Sequence, residues 1–247
     1  MGDKALRQAM TMALDIPDMT RRTVGQYVET AEPMTSSAYI PGQPEVQDNT
    51  GATGVGTGDI EGAIALLEDA GYTLVEGALH SPDGGPLREI EILTYSIDPI
   101  RVQLAELAQA QLAQIGITAF IDVADRSRYS PDAQAGSFDI YTTATALDLG
   151  ALSLAQWYQT GAARNYFGYS SEVVDDLVAE ISVTLDDART VELTNELDRA
   201  LLEDGIVVPL FPITNMAVYS DRFANIFVNP SKYGTTMNVE EWGLRAE

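Results

Sequence analysis

The sequence contains no cysteine and a single histidine among its 247 residues. The absence of cysteine excludes disulfides, thiolate nucleophiles and sulfur-ligated metals, and it is compatible with an extracellular protein. A Ser–His–Asp hydrolase would have to use His80, which lies in a turn beside Pro82 and Gly84. No Gly-x-Ser-x-Gly elbow accompanies any serine, so we expect no enzymatic activity.

Basic residues are scarce as well. The sequence has 14 lysines and arginines and 37 acidic residues, and its formal net charge is −23. Nucleic-acid binding requires cationic side chains against phosphates, so this class of function is excluded, and anionic membranes would repel the chain. Neighbouring acids such as Asp175 and Asp176 are interpreted as helix surface and not as a glycosidase pair. Calcium-loop spacing and a phosphate-binding glycine loop are both missing, so we expect no metal and no cofactor.

Long apolar runs are missing too, because no stretch approaches the roughly 20 apolar residues of a membrane span. The first residues, Met1-Gly-Asp-Lys4, lack the apolar core and cleavage site of a signal peptide. They lead into an amphipathic helix within three residues, and we therefore expect the chain to be a piece of a longer protein.

Hydrophobic periodicity predicts an α/β fold in which helices alternate with strands. The predicted helices cover 3–14, 18–24, 59–72, 99–115, 172–183 and 186–203, with a helical turn at 127–135, and the predicted strands cover 87–95, 117–123, 138–143 and 205–211. Residues 25–58 have no such period and are interrupted by prolines and glycines. An irregular segment of this length within a domain is usually functional or disordered.

The segment 59–72 gives the clearest local prediction, a short amphipathic helix that is closed at both ends. Asp59 is a suitable N-cap, because its carboxylate accepts hydrogen bonds from otherwise unpaired amides. Gly71 stands where a left-handed residue ends a helix, and Tyr72 can fold back on the apolar stripe.

Several short motifs follow one another along the chain. They are Arg7-Gln-Ala-Met-Thr-Met-Ala-Leu-Asp15, Ala70-Gly-Tyr72, the turn at Asp83-Gly84, Leu112-Ala-Gln-Ile-Gly-Ile117, Gly136-Ser-Phe-Asp139, Asn165-Tyr-Phe-Gly-Tyr169 running into Val174-Asp-Asp-Leu177, and Val208-Pro-Leu-Phe211. Each motif alone has little specificity. In this order the set resembles the C-terminal lobe of solute-binding protein family 5, the oligopeptide- and dipeptide-binding components of ABC importers.

The resemblance implies a periplasmic-binding-protein type II-like lobe, a mixed open sheet flanked by helices. Residues 1–247 would form this lobe, 25–58 would border the ligand cleft, and an N-terminal lobe would be missing from the chain. The implied function is capture of an extracellular solute, with a peptide-like solute as the first candidate, by closure of two lobes and delivery to a membrane permease. The implied partners are that solute, the missing lobe and the permease subunits. The implied location is extracytoplasmic, periplasmic or as a bacterial cell-surface lipoprotein, with the isolated piece monomeric.

The resemblance also implies ligand-contacting residues. Asp148 matches an acidic residue that holds the α-ammonium of a peptide, although the family's neighbouring Trp, second acid and proline are here Thr145, Gly150 and Ala151. The other candidates are Asn165, Tyr39, Trp157 and Tyr166. Each has a structural alternative: Asp148 could cap the helix beginning near residue 152 or be solvated, the aromatic rings could be core, and Asn165 could hold its loop.

Two other functions remain open at this stage. The chain could be a lobe recruited as a sensor or surface antigen without a transport role. It could also belong to a family member that binds a non-peptide ligand such as a sugar or a metal chelate.

Overall fold

A computed structural model describes residues 2–145, 150–213, 217–227 and 234–245. Its α-helices are α1 (Lys4–Ala13), α2 (Ile16–Arg22), α3 (Asn49–Thr53), α4 (Ile60–Asp69), α5 (Pro99–Leu112), α6 (Tyr129–Ala135), α7 (Ala151–Tyr158), α8 (Glu172–Val183) and α9 (Asp187–Glu203). Its strands are β1 (Thr73–Val75), β2 (Ala78–His80), β3 (Ile90–Tyr95), β4 (Ala119–Ala124), β5 (Ile140–Tyr141), β6 (Phe223–Ala224) and β7 (Gly243–Leu244), and 3₁₀ turns cover Val24–Gln26, Ala113–Ile115 and Gly234–Glu241.

Helix α4 has the ends that its sequence predicts. The Asp59 carboxylate accepts a hydrogen bond from the Gly62 amide at 2.8 Å. Gly71 has a φ of +88°, and Tyr72 is only 4% exposed within the core. The prediction for this segment is confirmed, because capping and apolar spacing are local properties that the sequence specifies directly.

The central sheet has three parallel strands in the order β4-β3-β5. Each of these strands is shorter than predicted. The difference is largest for β5, which pairs only through Ile140 and Tyr141. Antiparallel pairing occurs in two separate sheets, β1 with β2 and β6 with β7. The hairpin of β1 and β2 was not predicted, because its strands are three residues long and largely exposed.

Strand β3 separates two layers of the core. Ile90 and Ile92 are buried in the main cluster with α1, α4 and α5, and Leu93 points to the opposite face, where it packs with Tyr129 and Ala133 of α6. Alternation of side chains along a strand places successive residues on opposite faces, so helices cover both sides of the sheet. A further core cluster lies between α7, α8 and α9.

The segment 25–58 is irregular as predicted, apart from one 3₁₀ turn and the short α3, and buried polar groups fix it to α9. Asp198 is fully buried and accepts hydrogen bonds from the Ser37 amide at 2.9 Å, from the Ser37 hydroxyl, and from the Asn49 side chain at 2.7 Å. Asn195 accepts from the same Asn49 amide and donates to the Glu45 carbonyl at 3.1 Å. Because a buried carboxylate is tolerated only when it is hydrogen-bonded, these contacts specify the path of the segment.

The strand predicted over 205–211 is wrong, since these residues pair with no other strand. Val208, Leu210 and Phe211 pack on the main core, and Ile206 and Val207 pack on the cluster of α7 to α9. The Leu210 carbonyl accepts from the Met34 amide at 2.9 Å, and Pro209 has no amide hydrogen to donate. The apolar run indicated burial correctly, but burial does not require a neighbouring strand.

None of the described side chains after Pro212 is buried. Large apolar side chains are instead exposed there: Ile213, Val218, Tyr219, Phe223, Phe227, Met237, Val239 and Leu244. We call residues 213, 217–227 and 234–245 the C-terminal segment.

Candidate functional site

The carboxyl ends of the parallel strands carry three tyrosines. Tyr95 ends β3, Tyr141 ends β5, and Tyr129 begins α6, which follows β4. The ring centres of Tyr95 and Tyr129 are 4.7 Å apart and those of Tyr129 and Tyr141 are 5.2 Å apart, both pairs stacked. Open α/β sheets bind ligands outside the carboxyl ends of their strands, so this aromatic surface lies where a ligand is expected.

Tyr129 is held by hydrogen bonds on both sides of its hydroxyl. It accepts from the Arg101 guanidinium at 3.0 Å and donates to the Thr142 carbonyl. Burial raises the pKa of Tyr129, and its proximity to Tyr141 raises it further, so the phenol stays neutral. Arg101 lies about 6.0 Å from the ring centres of both Tyr95 and Tyr129 and pairs with Asp98 at 3.0 Å. The hydrogen bonds and ring contacts together fix the position of the Tyr129 ring at this edge of the sheet.

Further aromatic rings connect this surface to α7. Phe138 contacts Tyr141, with 5.2 Å between ring centres, and meets Phe167 edge-on at 5.7 Å. Phe167 in turn stacks on Tyr158 at 5.9 Å. Aromatic pairs at these distances stabilise each other beyond the burial of their area. The series therefore connects the cluster around Leu93 and Tyr129 to the core cluster between α7, α8 and α9.

Two of the predicted site residues, Trp157 and Tyr166, lie together beside this series. Their rings meet edge-on with centres 5.7 Å apart, and the Trp157 indole N–H is 3.3 Å from the Thr145 hydroxyl oxygen. The Arg164 guanidinium lies over the Trp157 ring, 5.4 Å from its centre. Trp157 is 8% exposed and Tyr166 is half-buried, so Tyr166 presents more surface to solvent.

Asn165 holds the loop between α7 and α8. Its side-chain amide donates to the carbonyls of Gln159 at 3.1 Å and Tyr169 at 2.7 Å, and its oxygen accepts from the Tyr169 amide at 3.0 Å. These bonds use most of the amide's capacity. Asn165 and Tyr166 also line a depression of about 570 Å³ that is open to solvent and bordered by Gly136 and Gly168.

Of the remaining two predicted site residues only Tyr39 is described, and it is not brought into this group. Tyr39 packs against the core of α7 to α9, and burial raises the pKa of its phenol. Asp148 lies outside the described residues, between the described Thr145 and Gly150. Both stay predictions as ligand contacts.

The structure adds residues that the sequence analysis missed, namely Tyr95, Tyr129, Tyr141 and Arg101. The available signal was their position, because the aromatic residues lie at or just after the carboxyl ends of strands that the sequence predicted. Sequence alone did not indicate that the rings stack, since stacking depends on the order β4-β3-β5.

His80 does not form a catalytic triad with its neighbours. Its Nδ1 lies 3.3 Å from the Gly84 carbonyl oxygen, and the Ser81 hydroxyl donates to Asp83 at 2.6 Å. The serine therefore bonds to the carboxylate and not to the imidazole, which is the wrong order for proton transfer from a nucleophile. Across the described part of the chain, no group of three or more His, Cys, Asp and Glu side chains could hold a metal ion, and no helix there is long and apolar enough to cross a membrane.

The sequence model of a protein family, the bacterial extracellular solute-binding proteins, family 5, middle region, matches residues 1–167. The chain belongs to this family. It is 30% identical over 229 residues to the oligopeptide-binding protein OppA of Mycobacterium tuberculosis, an alignment that covers 91% of this chain and 37% of OppA. The chain thus spans less than half the length of the curated relatives it matches.

Solved family 5 structures share the fold, which is that of type II periplasmic binding proteins. A periplasmic EDTA-binding protein, EppA, superposes with a TM-score of 0.88 at 24% identity, over 99% of this chain and 46% of that one. The oligopeptide-binding protein AppA of Bacillus subtilis, solved with a nonapeptide, gives 0.71 at 19% identity, over 99% of this chain and 48% of that one. The predicted fold class is confirmed.

The motif residues of this family 5 chain are mostly structural. Asp139 accepts two hydrogen bonds from Arg88 and one from the Glu91 amide at 2.9 Å. Burial opposes ionisation of Asp139, but the Arg88 and Glu91 bonds hold its pKa below the usual value. Asp175 accepts from the Thr160 amide at 2.9 Å and so fixes the start of the loop that carries Asn165.

Proposed function

We propose that residues 1–247 form the C-terminal lobe of a two-lobed solute-binding protein of an ABC importer. The observation that carries the proposal is the one-sided site. The depression is open to solvent, Tyr95 and Tyr141 are partly exposed beside the buried Tyr129, and the described residues supply no opposite wall. Small-solute sites usually bury most of the ligand, so a second wall is required before a solute is enclosed.

The C-terminal segment supports the same proposal. Its apolar side chains are exposed, with Val218 at 86% and Leu244 at 69%. Exposed apolar surface of this extent is typical of an interface. Because the chain spans 37% of OppA, the rest of a longer polypeptide is available to cover it.

In the proposed mechanism, solute contacts both lobes only when they are closed. Binding then shifts the population toward the closed state, since a ligand favours the conformation in which it makes more contacts. The closed form would dock on the permease subunits outside the cytoplasm. The segment 25–58, held by Asp198, would form a fixed border of the cleft.

The proposed solute is peptide-like, with Asp148 holding an ammonium group and Asn165, Tyr39, Trp157 and Tyr166 as further contacts. A carboxylate forms a strong charge-assisted bond with an enclosed cation. Similarity to OppA supports a peptide. A chelate is the second candidate, and the TM-score of 0.88 with the EDTA-binding protein supports it.

Titration calorimetry tests the two-lobe proposal. The full-length protein and the chain 1–247 are titrated with the same tetraalanine and EDTA solutions. We expect the full-length protein to bind at least one probe about a hundredfold or more tightly than the chain, because closure supplies the missing contacts. Equal affinity of the two proteins for that probe would contradict the proposal.

A further inference from the structure

Arg164 is an exposed cation in a strongly acidic chain, and it is held on an aromatic ring. Its guanidinium carbon lies 5.4 Å from the centre of the Trp157 ring. Arg88, Arg101 and Arg128 each pair with an aspartate. Within residues 2–145, 150–213, 217–227 and 234–245, Arg164 has no carboxylate at ion-pair distance.

The backbone of Arg164 is fixed to α7 and to its own loop. Its amide donates to the Gln156 carbonyl at 3.2 Å, and its carbonyl accepts from the Tyr166 amide at 2.8 Å. The side chain of the next residue, Asn165, makes the three loop bonds described above. The guanidinium is therefore presented in a defined place, which lowers the conformational entropy lost when a ligand binds.

We infer that Arg164 binds a carboxylate group of the solute, an inference that rests on the proposed solute-binding function. A guanidinium held over an indole by a cation–π contact keeps N–H groups available, and those groups match a carboxylate in bidentate geometry. Its neighbours Ala163 and Asn165 line the open depression, so space for the rest of a solute adjoins the cation.

The net charge of the chain strengthens this inference. At −23 the molecule repels anions as a whole, so an anionic group needs a local cation at its binding point. The ligand chemistry is a carboxylate, whether it is carried by a peptide or by a polycarboxylate chelator. Both sources are compatible with the same guanidinium, and the experiment below separates them.

The test uses the full-length protein, its Arg164→Gln and Arg164→Lys variants, and Arg21→Gln as a control. Arg21 is exposed and pairs with Asp18 in α2, so its replacement changes the net charge equally and leaves the aromatic surface intact. Calorimetric titrations compare tetraalanine with tetraalanine amide in the peptide arm, and use EDTA in the chelator arm. Circular dichroism verifies that each variant is folded.

We expect the protein to bind one carboxylate probe, and Arg164→Gln to weaken that binding about tenfold or more while Arg21→Gln leaves it unchanged. In the peptide arm the preference for the free acid over the amide should disappear in Arg164→Gln, and Arg164→Lys should retain part of it. If Arg164→Gln weakens the binding of EDTA and not that of tetraalanine, the bound carboxylate is that of a chelator.

The structure also provides a spectroscopic readout in the same proteins. Trp157 and Trp242 are the two tryptophans of this chain. The part of the emission that Trp157→Phe removes should change on addition of the bound probe in the unchanged protein and not in Arg164→Gln. Probe affinities that are equal in the protein and in Arg164→Gln would overturn the inference and leave solute binding intact. Failure of all three probes to bind the unchanged protein would overturn both.

Discussion

Individual motif residues act here mainly through side-chain hydrogen bonds that fix the backbone. Asp139 joins β5 to β3 through the Glu91 amide, Asp175 joins α8 to Thr160, and Asn165 closes its own loop. Each replaces water around a polar group that folding would otherwise leave unpaired. Because these side chains bond to the protein's own backbone, they indicate the fold. The same bonds leave them uninformative about which solute is bound.

Asp139 gives a pH-dependent prediction at this scale. Its pKa is lowered in the folded protein, chiefly because the Arg88 bonds outweigh the effect of burial. A carboxyl group with a lowered folded pKa stabilises the protein above its unfolded pKa near 4, and this contribution is lost as the pH falls through the folded value. Urea unfolding between pH 7 and pH 2 should show a stability loss below pH 4 that is smaller in Asp139→Asn.

Asp186→Asn serves as the comparison for that measurement, because Asp186 is an exposed helix cap bonded to a backbone amide. Below pH 4, Asp186→Asn should lose as much stability through protonation of Asp139 as the unchanged protein does. Identical pH profiles for the unchanged protein and Asp139→Asn would show that the Arg88 pair contributes nothing.

At the scale of elements, Gly116 ends the helical segment of α5 in a conformation that other residues avoid. Its φ is +77°, and a Cβ there would lie 2.4 Å from the Leu74 side chain and 2.9 Å from the Leu79 backbone nitrogen. We expect Gly116→Ala to lower the free energy of unfolding by about 2 kcal/mol or more, measured by urea denaturation.

Gly77→Ala is the matched control, since Gly77 has a φ of +84° and open space around it. Its cost should be limited to the backbone strain of about 1 kcal/mol. If both substitutions cost the same, the close packing of the hairpin on the end of α5 has no energetic role.

The sequence predicted helices better than strands for a physical reason. Helix α4 is determined by its own cap, stripe and terminal glycine, whereas β5 pairs through two residues whose partners are about fifty positions away. The segment 205–211 shows the same limit, because its apolar residues are buried by two cores without pairing. In the candidate site, Trp157 and Tyr166 are close in sequence and their rings do meet, while the stacked tyrosines depend on strand order. The role of the predicted residues as ligand contacts stays a prediction.

At the scale of the whole molecule, the C-terminal segment is distinguished by its exposed apolar side chains. Its described residues include none of the buried core. A chain that ends at Pro212 should therefore unfold with a free energy within about 1 kcal/mol of that of residues 1–247, because surface residues away from buried groups contribute little. Urea denaturation followed by circular dichroism measures this.

A chain that ends at Asp204 provides the contrast, because it also loses the residues between Ile206 and Phe211 that pack on both cores. It should be a few kcal/mol less stable, since full burial of a large apolar side chain contributes about 1.5–3 kcal/mol and five such side chains are partly buried here. A large loss already on truncation at Pro212 would mean that the C-terminal segment is part of the core.

The hydrogen bonds of Asp198 have a consequence for the order of events during synthesis. Ser37 and Asn49 leave the ribosome roughly 150 residues before their acceptor. Until then the segment 25–58 has no buried acceptor to hold it, and contacts of such sequence separation form slowly. The segment thus reaches its final path only after α9 has been translated.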